Sequence, residues 1–150
     1  NPLHMVVWFR SADRKLAMPG KTAIKAFVAE IFRKEKKKLA GITYVFCSDE
    51  WLLQINRDFL QHDYYTDIIS FDYTENKIIE GEIYISVDRV KENAAKFEEK
   101  FHVELLRVMF HGVLHYVGYK DKTKIDAEKM REMENTYLNI YKNEFHVEQK

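Results

Sequence analysis

The chain has 150 residues, of which 46% are hydrophobic and 14% aromatic, and its 24 basic side chains equal its 24 acidic ones. This length and apolar content predict one domain over residues 1–150, with a core that needs no disulfides. Zero net charge excludes a general field that would attract nucleic acid or anionic lipid, so a nucleic-acid partner would have to bind a local basic groove. The apolar runs are far shorter than a membrane span, and residues 1–10 lack the features of a signal peptide, so we expect no membrane association.

The first half of the chain predicts two strands, each followed by a helix. The predicted elements are a strand over 5–9, a helix over 22–39, a strand over 42–47 and a helix over 49–59. Thr22 is the expected cap of the first helix, Gly41 its expected stop, and Ser48 or Asp49 the cap of the second. Cys47, the one cysteine, ends a β-branched and aromatic run, which predicts a buried, reduced thiol typical of a cytoplasmic protein.

The second half predicts two further strands and three closing helices. The strands are expected over 68–73 and 81–86, and the helices over 87–97, 103–117 and 125–141. Residues 75–77 predict a turn or loop, and residues 143–150 predict a frayed tail. Because strands and helices alternate early and helices close the chain, we predict an α+β fold with one mixed four-stranded sheet and about five helices. The pattern leaves the strand order open.

The most informative segment runs from Phe110 to Asp121. His111 and His115 are four residues apart, so on a helix their imidazoles lie on the same face and can bind one ion. Gly118 comes where the helix must end and turn back, and Asp121 can then supply a third ligand. Two nitrogens and one carboxylate oxygen suit Zn²⁺ and leave a fourth position open for water. We therefore predict one zinc ion per chain.

The surroundings of this pair support a metal and argue against a peptidase. The helix is apolar almost all the way round, so two buried imidazoles need partners. Zinc peptidases carry a glutamate directly after the first histidine as general base, whereas this chain has Gly112.

Segments 63–71, 81–86 and 111–119 occur in the order of three characteristic segments of one known family, and they resemble those of the YbeY family of bacterial rRNA maturation factors. His111-Gly-Val-Leu-His115-x-x-Gly118-Tyr119 is similar to the family signature His-Gly-x-Leu-His-x-x-Gly-Tyr-Asp-His. Asp63-x-x-Thr66-Asp67-Ile68-Ile69-Ser70-Phe71 resembles its Asp-x-Pro-Thr-Asp-Val-Leu-Ser-Phe segment, and residues 81–86 resemble its Gly-Asp-Ile-x-Ile strand. Together the three span about residues 41–133.

The resemblance implies a zinc-dependent, single-strand-specific endoribonuclease with a single-domain α+β fold. It further implies a role in 16S rRNA 3′-end maturation and ribosome quality control, rRNA and ribosome-associated proteins as partners, and a cytoplasmic location.

Three positions depart from the family pattern. Asp121 stands where the family usually has a third histidine, which exchanges a neutral ligand for an anion and should make a zinc-bound water less acidic. Leu60 replaces the arginine of the family's Asn-x-x-Tyr-Arg segment, a suspected RNA contact. Arg57 lies one helical turn earlier and can reach the same face, although the spacing fits an exposed surface arginine equally well. Tyr65 replaces a proline, which changes mainly the stiffness of the loop.

Several roles stay open at the level of the sequence. Tyr64, Tyr65 or Tyr73 could stack on unpaired bases, or belong to the core. Asp67 and Glu82 are general-base candidates by residue type alone, so no catalytic residue is assigned. Two other functions compete with the nuclease: a non-catalytic ribosome-assembly factor with a structural zinc, and a zinc hydrolase of another substrate.

Overall fold

The computed structural model describes residues 6–145. Four strands and five helices follow one another along the chain. In order they are β1 (Val7–Ser11), α1 (Lys21–Lys34), β2 (Lys38–Cys47), α2 (Asp49–Phe59), β3 (Ile68–Asp72), β4 (Ile78–Ser86), α3 (Val87–Lys96), α4 (Phe101–Tyr116) and α5 (Lys124–Phe145). None of these helices is both long and apolar enough to cross a membrane.

The strands form one mixed sheet in the order β1-β2-β4-β3. β1 pairs with β2, and β2 with β4, in parallel, while β3 runs antiparallel to β4. This confirms the predicted α+β class with a four-stranded mixed sheet and five helices, and it supplies the strand order that the sequence left open.

The main hydrophobic core lies between one face of the sheet and the helices α1, α4 and α5. Alternating residues of the strands face it, so Ile42, Tyr44, Ile83 and Ile85 are fully buried. Ten residues of α4 are buried, which confirms the predicted buried helix and places it against the centre of the sheet. The expectation that both imidazoles are buried is wrong, because His111 is only partly buried and His115 is exposed at the end of the helix. A smaller cluster of Cys47, Leu52 and Ile69 covers part of the opposite face beneath α2.

The predicted end of the first helix is wrong. Helix α1 ends at Lys34, and Lys36 takes a positive φ of 59°, which reverses the chain. Leu39 then pairs with Ile79 in the sheet, so strand pairing overrides the helical pattern beyond residue 34. Gly41 does not stop a helix but lies within β2 at a register shift, where an added Cβ would meet the ring of Trp8 at 2.6 Å.

Three smaller expectations also change. The N-cap of α1 is Gly20, in a left-handed conformation, and Thr22 lies inside the helix. Strand β1 continues to Ser11 instead of ending at Phe9, and Met5 lies outside the described residues. Helix α5 continues through Phe145, so residues 143–145 are helical instead of frayed, and the remaining predicted tail, 146–150, lies outside the described residues.

Candidate metal centre

The structure brings His111, His115 and Asp121 together at the C-terminal end of α4. The two histidines lie on one face of the helix, and their Nε2 atoms are 3.1 Å apart. Asp121 Oδ2 lies 3.2 Å from Nε2 of His111 and 3.1 Å from Nε2 of His115. Among the described residues these three form the one group of His, Cys, Asp and Glu side chains arranged to hold a metal ion.

The distances within this triangle fit a tetrahedral ion. Ligand bonds of about 2.0–2.1 Å place neighbouring donors of a tetrahedron about 3.3 Å apart. The observed separations of 3.1 to 3.2 Å are close to that value. The donor set of two imidazoles and one carboxylate is one that Zn²⁺ accepts, so the residues present fit the implied metal.

Glu134 on α5 determines how His111 presents its ring. The Nδ1 atom of His111 donates a hydrogen bond to Oε2 of Glu134 at 2.6 Å, which leaves the Nε2 lone pair facing the other two ligands. Glu134 is 4% exposed, and Arg107 holds its other oxygen at 3.4 Å. Burial, the largest single influence, lowers the pKa of His111, but the hydrogen bond and charge of Glu134, with the charges of Asp121 and Asp67, outweigh it and raise this pKa.

The loop that carries Asp121 is fixed from two sides. At the end of α4, Gly118 adopts a φ of 112°, which suits glycine, and Tyr119 N donates to Leu114 O at 3.0 Å. The Tyr119 hydroxyl donates to Oε1 of Glu35 at 3.0 Å, and the Tyr137 hydroxyl on α5 donates to the other oxygen. The third ligand therefore returns to the imidazoles on an anchored turn.

Gly112 faces the core and not the metal centre. A Cβ at this position would lie 3.0 Å from the side chain of Ile68 and 3.1 Å from that of Ile83. A glutamate there would have to enter the packed layer between α4 and the sheet. The packing of α4 on the sheet therefore leaves no room for a peptidase general base at residue 112.

The two general-base candidates differ in their relation to the metal ligands. Gly81 and Ile83 face α4, since a Cβ on Gly81 would overlap the Tyr116 ring. Glu82, between them, therefore points to the opposite face, where it accepts a hydrogen bond from Tyr73 at 2.9 Å. Asp67 directly precedes β3, and its carboxyl interacts electrostatically with His111. Burial raises the pKa of its carboxyl, while the charge of His111 opposes that shift.

The candidate RNA contacts lie around the α2–β3 connection. Arg57, in the last turn of α2, does not contact the three ligands but pairs through Nε with Oδ1 of Asp63 at 2.6 Å. Tyr64 and Tyr65 follow in the connecting loop, and both are about half exposed.

A family model described as Endoribonuclease YbeY matches residues 9–142. The chain belongs to this family. A YbeY endoribonuclease of Cytophaga hutchinsonii is 47% identical over 137 residues, which cover 91% of this chain and 96% of that protein. One of Flavobacterium psychrophilum is 49% identical over 123 residues, covering 82% and 85%. The solution structure of TM1509 from Thermotoga maritima superposes with a TM-score of 0.66 at 26% identity, covering 93% of this chain and 91% of that one.

The YbeY signature therefore correctly indicated the family, but it missed the residues that support the ligands. Glu134, Arg107 and Glu35 belong to none of the three segments. One signal existed for Glu134, because it shares a helical stripe with Met130, Tyr137 and Tyr141, all of which are buried. A charged residue on the apolar stripe of a helix requires a buried partner, and here that partner is His111.

Proposed function

We propose that the protein is a zinc-dependent endoribonuclease that cleaves single-stranded RNA, with one zinc ion held by His111, His115 and Asp121. The observation that carries the proposal is the triangle of ligand atoms at 3.1 to 3.2 Å, in a chain of the YbeY family. Zinc held by these residues would supply Lewis acidity for the hydrolysis of a phosphodiester.

The side chains of the protein orient this chemistry. His111 and His115 present Nε2, and Glu134 fixes the tautomer of His111 so that its lone pair faces the ion. Asp67, whose carboxyl interacts electrostatically with His111, is the carboxylate outside the ligand set that we consider for proton transfer. Side chains from two helices and one anchored loop thus hold the site rigidly.

We further propose that Arg57 contacts the phosphates of the RNA. Its partner Asp63 is 76% exposed, so solvent screens this ion pair and a phosphate can compete for the guanidinium. Leu60 is the C-cap of α2, one turn further along, and is also exposed. A guanidinium at either position would extend over the same surface.

The first experiment measures metal content and RNA cleavage in the same preparations. We expect a metal-to-protein ratio near one for the wild type, and loss of both metal and cleavage in His111→Ala and His115→Ala. Chelator should abolish cleavage, and added zinc should restore it. Stoichiometric zinc in the double alanine variant would contradict the site. Metal-replete protein that cleaves no RNA would contradict the nuclease.

The second experiment tests Arg57 by replacing it, and compares that variant with two others. Arg57→Ala should leave folding and zinc content intact, weaken RNA binding about equally for all sequences and reduce the salt slope by about one unit or less. Adding Leu60→Arg should recover part of the loss. Asp63→Asn, which removes the competing carboxylate, should strengthen binding. Unchanged RNA affinity in Arg57→Ala would show that another residue makes the contact.

One alternative rests on a specific observation. The family arginine is replaced by Leu60 and Arg57 is already paired, which favours a ribosome-assembly factor whose zinc is structural. An RNA-binding, zinc-loaded protein without cleavage activity is the outcome that selects it. A peptide hydrolase is disfavoured because Gly112 faces the core.

The physiological role that we propose is 16S rRNA 3′-end maturation and ribosome quality control, with rRNA and ribosome-associated proteins as partners in the cytoplasm. The buried thiol of Cys47 is compatible with that reducing compartment. Accumulation of 16S precursor on depletion of the protein, rescued by wild type and not by His111→Ala, is the expected result in cells. A rescue by His111→Ala would show that the metal site is not required for this role.

A further inference from the structure

Two neighbouring tyrosines in the α2–β3 connection are exposed without a place in the hydrophobic core. Tyr64 is 55% exposed and Tyr65 is 49% exposed. Neither ring is part of the two hydrophobic clusters that the described residues form. Large apolar rings in adjacent exposed positions need an explanation other than packing.

Both rings are nevertheless held in place. Asn56, which is 1% exposed, donates from Nδ2 to the carbonyl of Tyr64 at 2.9 Å and so braces the loop from below. The Tyr64 ring stacks on His62, with centroids 5.1 Å apart and planes 20° apart, and its hydroxyl is hydrogen-bonded to Nδ1 of His62. Folding has therefore already removed part of the conformational entropy that the Tyr64 side chain would otherwise lose on binding a ligand.

Tyr65 is held by a cation. The guanidinium carbon of Arg89 lies 5.3 Å from the centroid of its ring. Arg89 is itself fixed by Asp49, whose Oδ2 lies 2.6 Å from Nη2. The ring thus has a positively charged group on one side, while about half of its surface faces solvent.

The tyrosine pair lies at the edge of the candidate metal centre. Ile68, the first residue of β3, packs against α4 at Gly112, directly beside His111. Asp67, between the loop and β3, interacts electrostatically with His111. Three residues of chain span at most roughly 10 Å, so Tyr65 lies within that distance of Ile68.

We propose that Tyr64 and Tyr65 are a stacking site for unpaired RNA bases next to the phosphodiester at the metal centre. This inference rests on the proposed function, and it names the part of the substrate that the loop recognises. Aromatic rings bind unpaired bases of any sequence through their π-faces, and the cations Arg57 and Arg89 suit the accompanying phosphates. Tyr73 is excluded from this site because it follows the far end of β3, five residues or about 17 Å of strand from Ile68. It bonds there to Glu82, and Glu80 and Glu82 line the surface and would repel phosphate.

The test compares the zinc-loaded wild type with Tyr64→Leu, Tyr65→Leu and the matching Phe variants. The probes are a fluorescent single-stranded RNA and an abasic oligonucleotide of the same length. Each Leu variant should bind the RNA about 5- to 150-fold more weakly, which is the range for loss of one stacked base, and the Phe variants should bind like wild type. The abasic probe should bind wild type and Leu variants with equal, weak affinity.

A matched control comes from Phe97. This ring is 58% exposed and carries a lysine ammonium 5.7 Å from its centroid, but it caps α3 next to the start of α4. The helical rise from Phe101 to His111 is about 15 Å, so Phe97 is remote from the metal centre. Phe97→Leu should leave RNA affinity unchanged.

The possible results separate this inference from the proposed function. The stacking site is overturned if the wild type and the Leu variants bind the RNA with equal affinity. It is also overturned if the wild type binds the abasic probe as tightly as the RNA. Neither result contradicts the proposed nuclease. Zinc affinity in chelator competition should be equal in wild type and the Leu variants, because the rings of Tyr64 and Tyr65 contact His62 and Arg89. Loss of zinc in the Leu variants would overturn the inference by showing that the loop supports the metal centre instead.

Discussion

Replacing Glu134 by glutamine should weaken metal binding without unfolding the protein. The amide keeps the shape of the side chain and one acceptor for Arg107, but it removes the charge 2.6 Å from Nδ1 of His111. Carboxylates that orient a metal-bound histidine typically contribute 10- to 100-fold in affinity, which corresponds to about 1.4 to 2.8 kcal/mol. Glu134→Ala should be worse, because removing one partner of a buried ion pair costs roughly 3 kcal/mol or more in stability.

The assay is a competition titration of metal-free wild type and Glu134→Gln with a chromogenic zinc chelator. Thermal unfolding at excess zinc gives a second measurement, since weaker binding lowers the stabilisation that the metal confers. The matched control is Glu104→Gln. Glu104 is also buried and lies near Arg107, with Oε1 3.7 Å from Nε, but it does not touch His111.

Two results would refute this reasoning. A zinc affinity of Glu134→Gln within twofold of wild type would show that the hydrogen bond does not orient the ligand. Equal weakening in Glu104→Gln would show that any lost buried charge has the same effect.

Three further predictions concern packing, the third ligand and the thiol. Gly81→Ala should lower the free energy of unfolding, measured in urea, by about 1 to 3 kcal/mol. The reason is that the new Cβ would lie 2.2 Å from the hydroxyl oxygen of Tyr116. An unchanged urea midpoint would contradict this overlap. Asp121→His should retain zinc, because imidazole has similar reach, and far weaker binding in chelator competition would show that Asp121 is not a ligand. Burial, with the charges of Asp13, Asp88 and Asp49, raises the pKa of the Cys47 thiol to about 12. The unfolded thiol ionises near pH 8.5, whereas the folded thiol stays protonated, so rising pH favours the unfolded state. From about pH 9 towards pH 12 the wild type should lose up to roughly 1.4 kcal/mol of stability per pH unit more than Cys47→Ala. Equal losses in both proteins would contradict the raised pKa.

Local sequence was enough to predict the ligands and most of the elements. The spacing of His111 and His115 determines that both imidazoles share a helix face, because 3.6 residues complete one turn. Gly118 marks the end of that helix, because a φ of 112° suits glycine, and it returns Asp121 to the two rings. These relations involve residues close together in the chain, so they are readable without knowledge of the fold.

Tertiary structure decided the features that depend on distant residues. Residues 35–39 leave the helical pattern because β2 pairs with β4, a partner about forty residues away. Glu134 reaches His111 only because α5 packs beside α4, and Glu35 reaches Tyr119 only because α1 ends near that loop. The packing of α4 on β4 places Gly112 in the core and Glu82 on the outer face of the sheet. Hydrogen bonds and packing contacts between residues remote in sequence leave no periodic signal, since each depends on how whole elements are arranged in space.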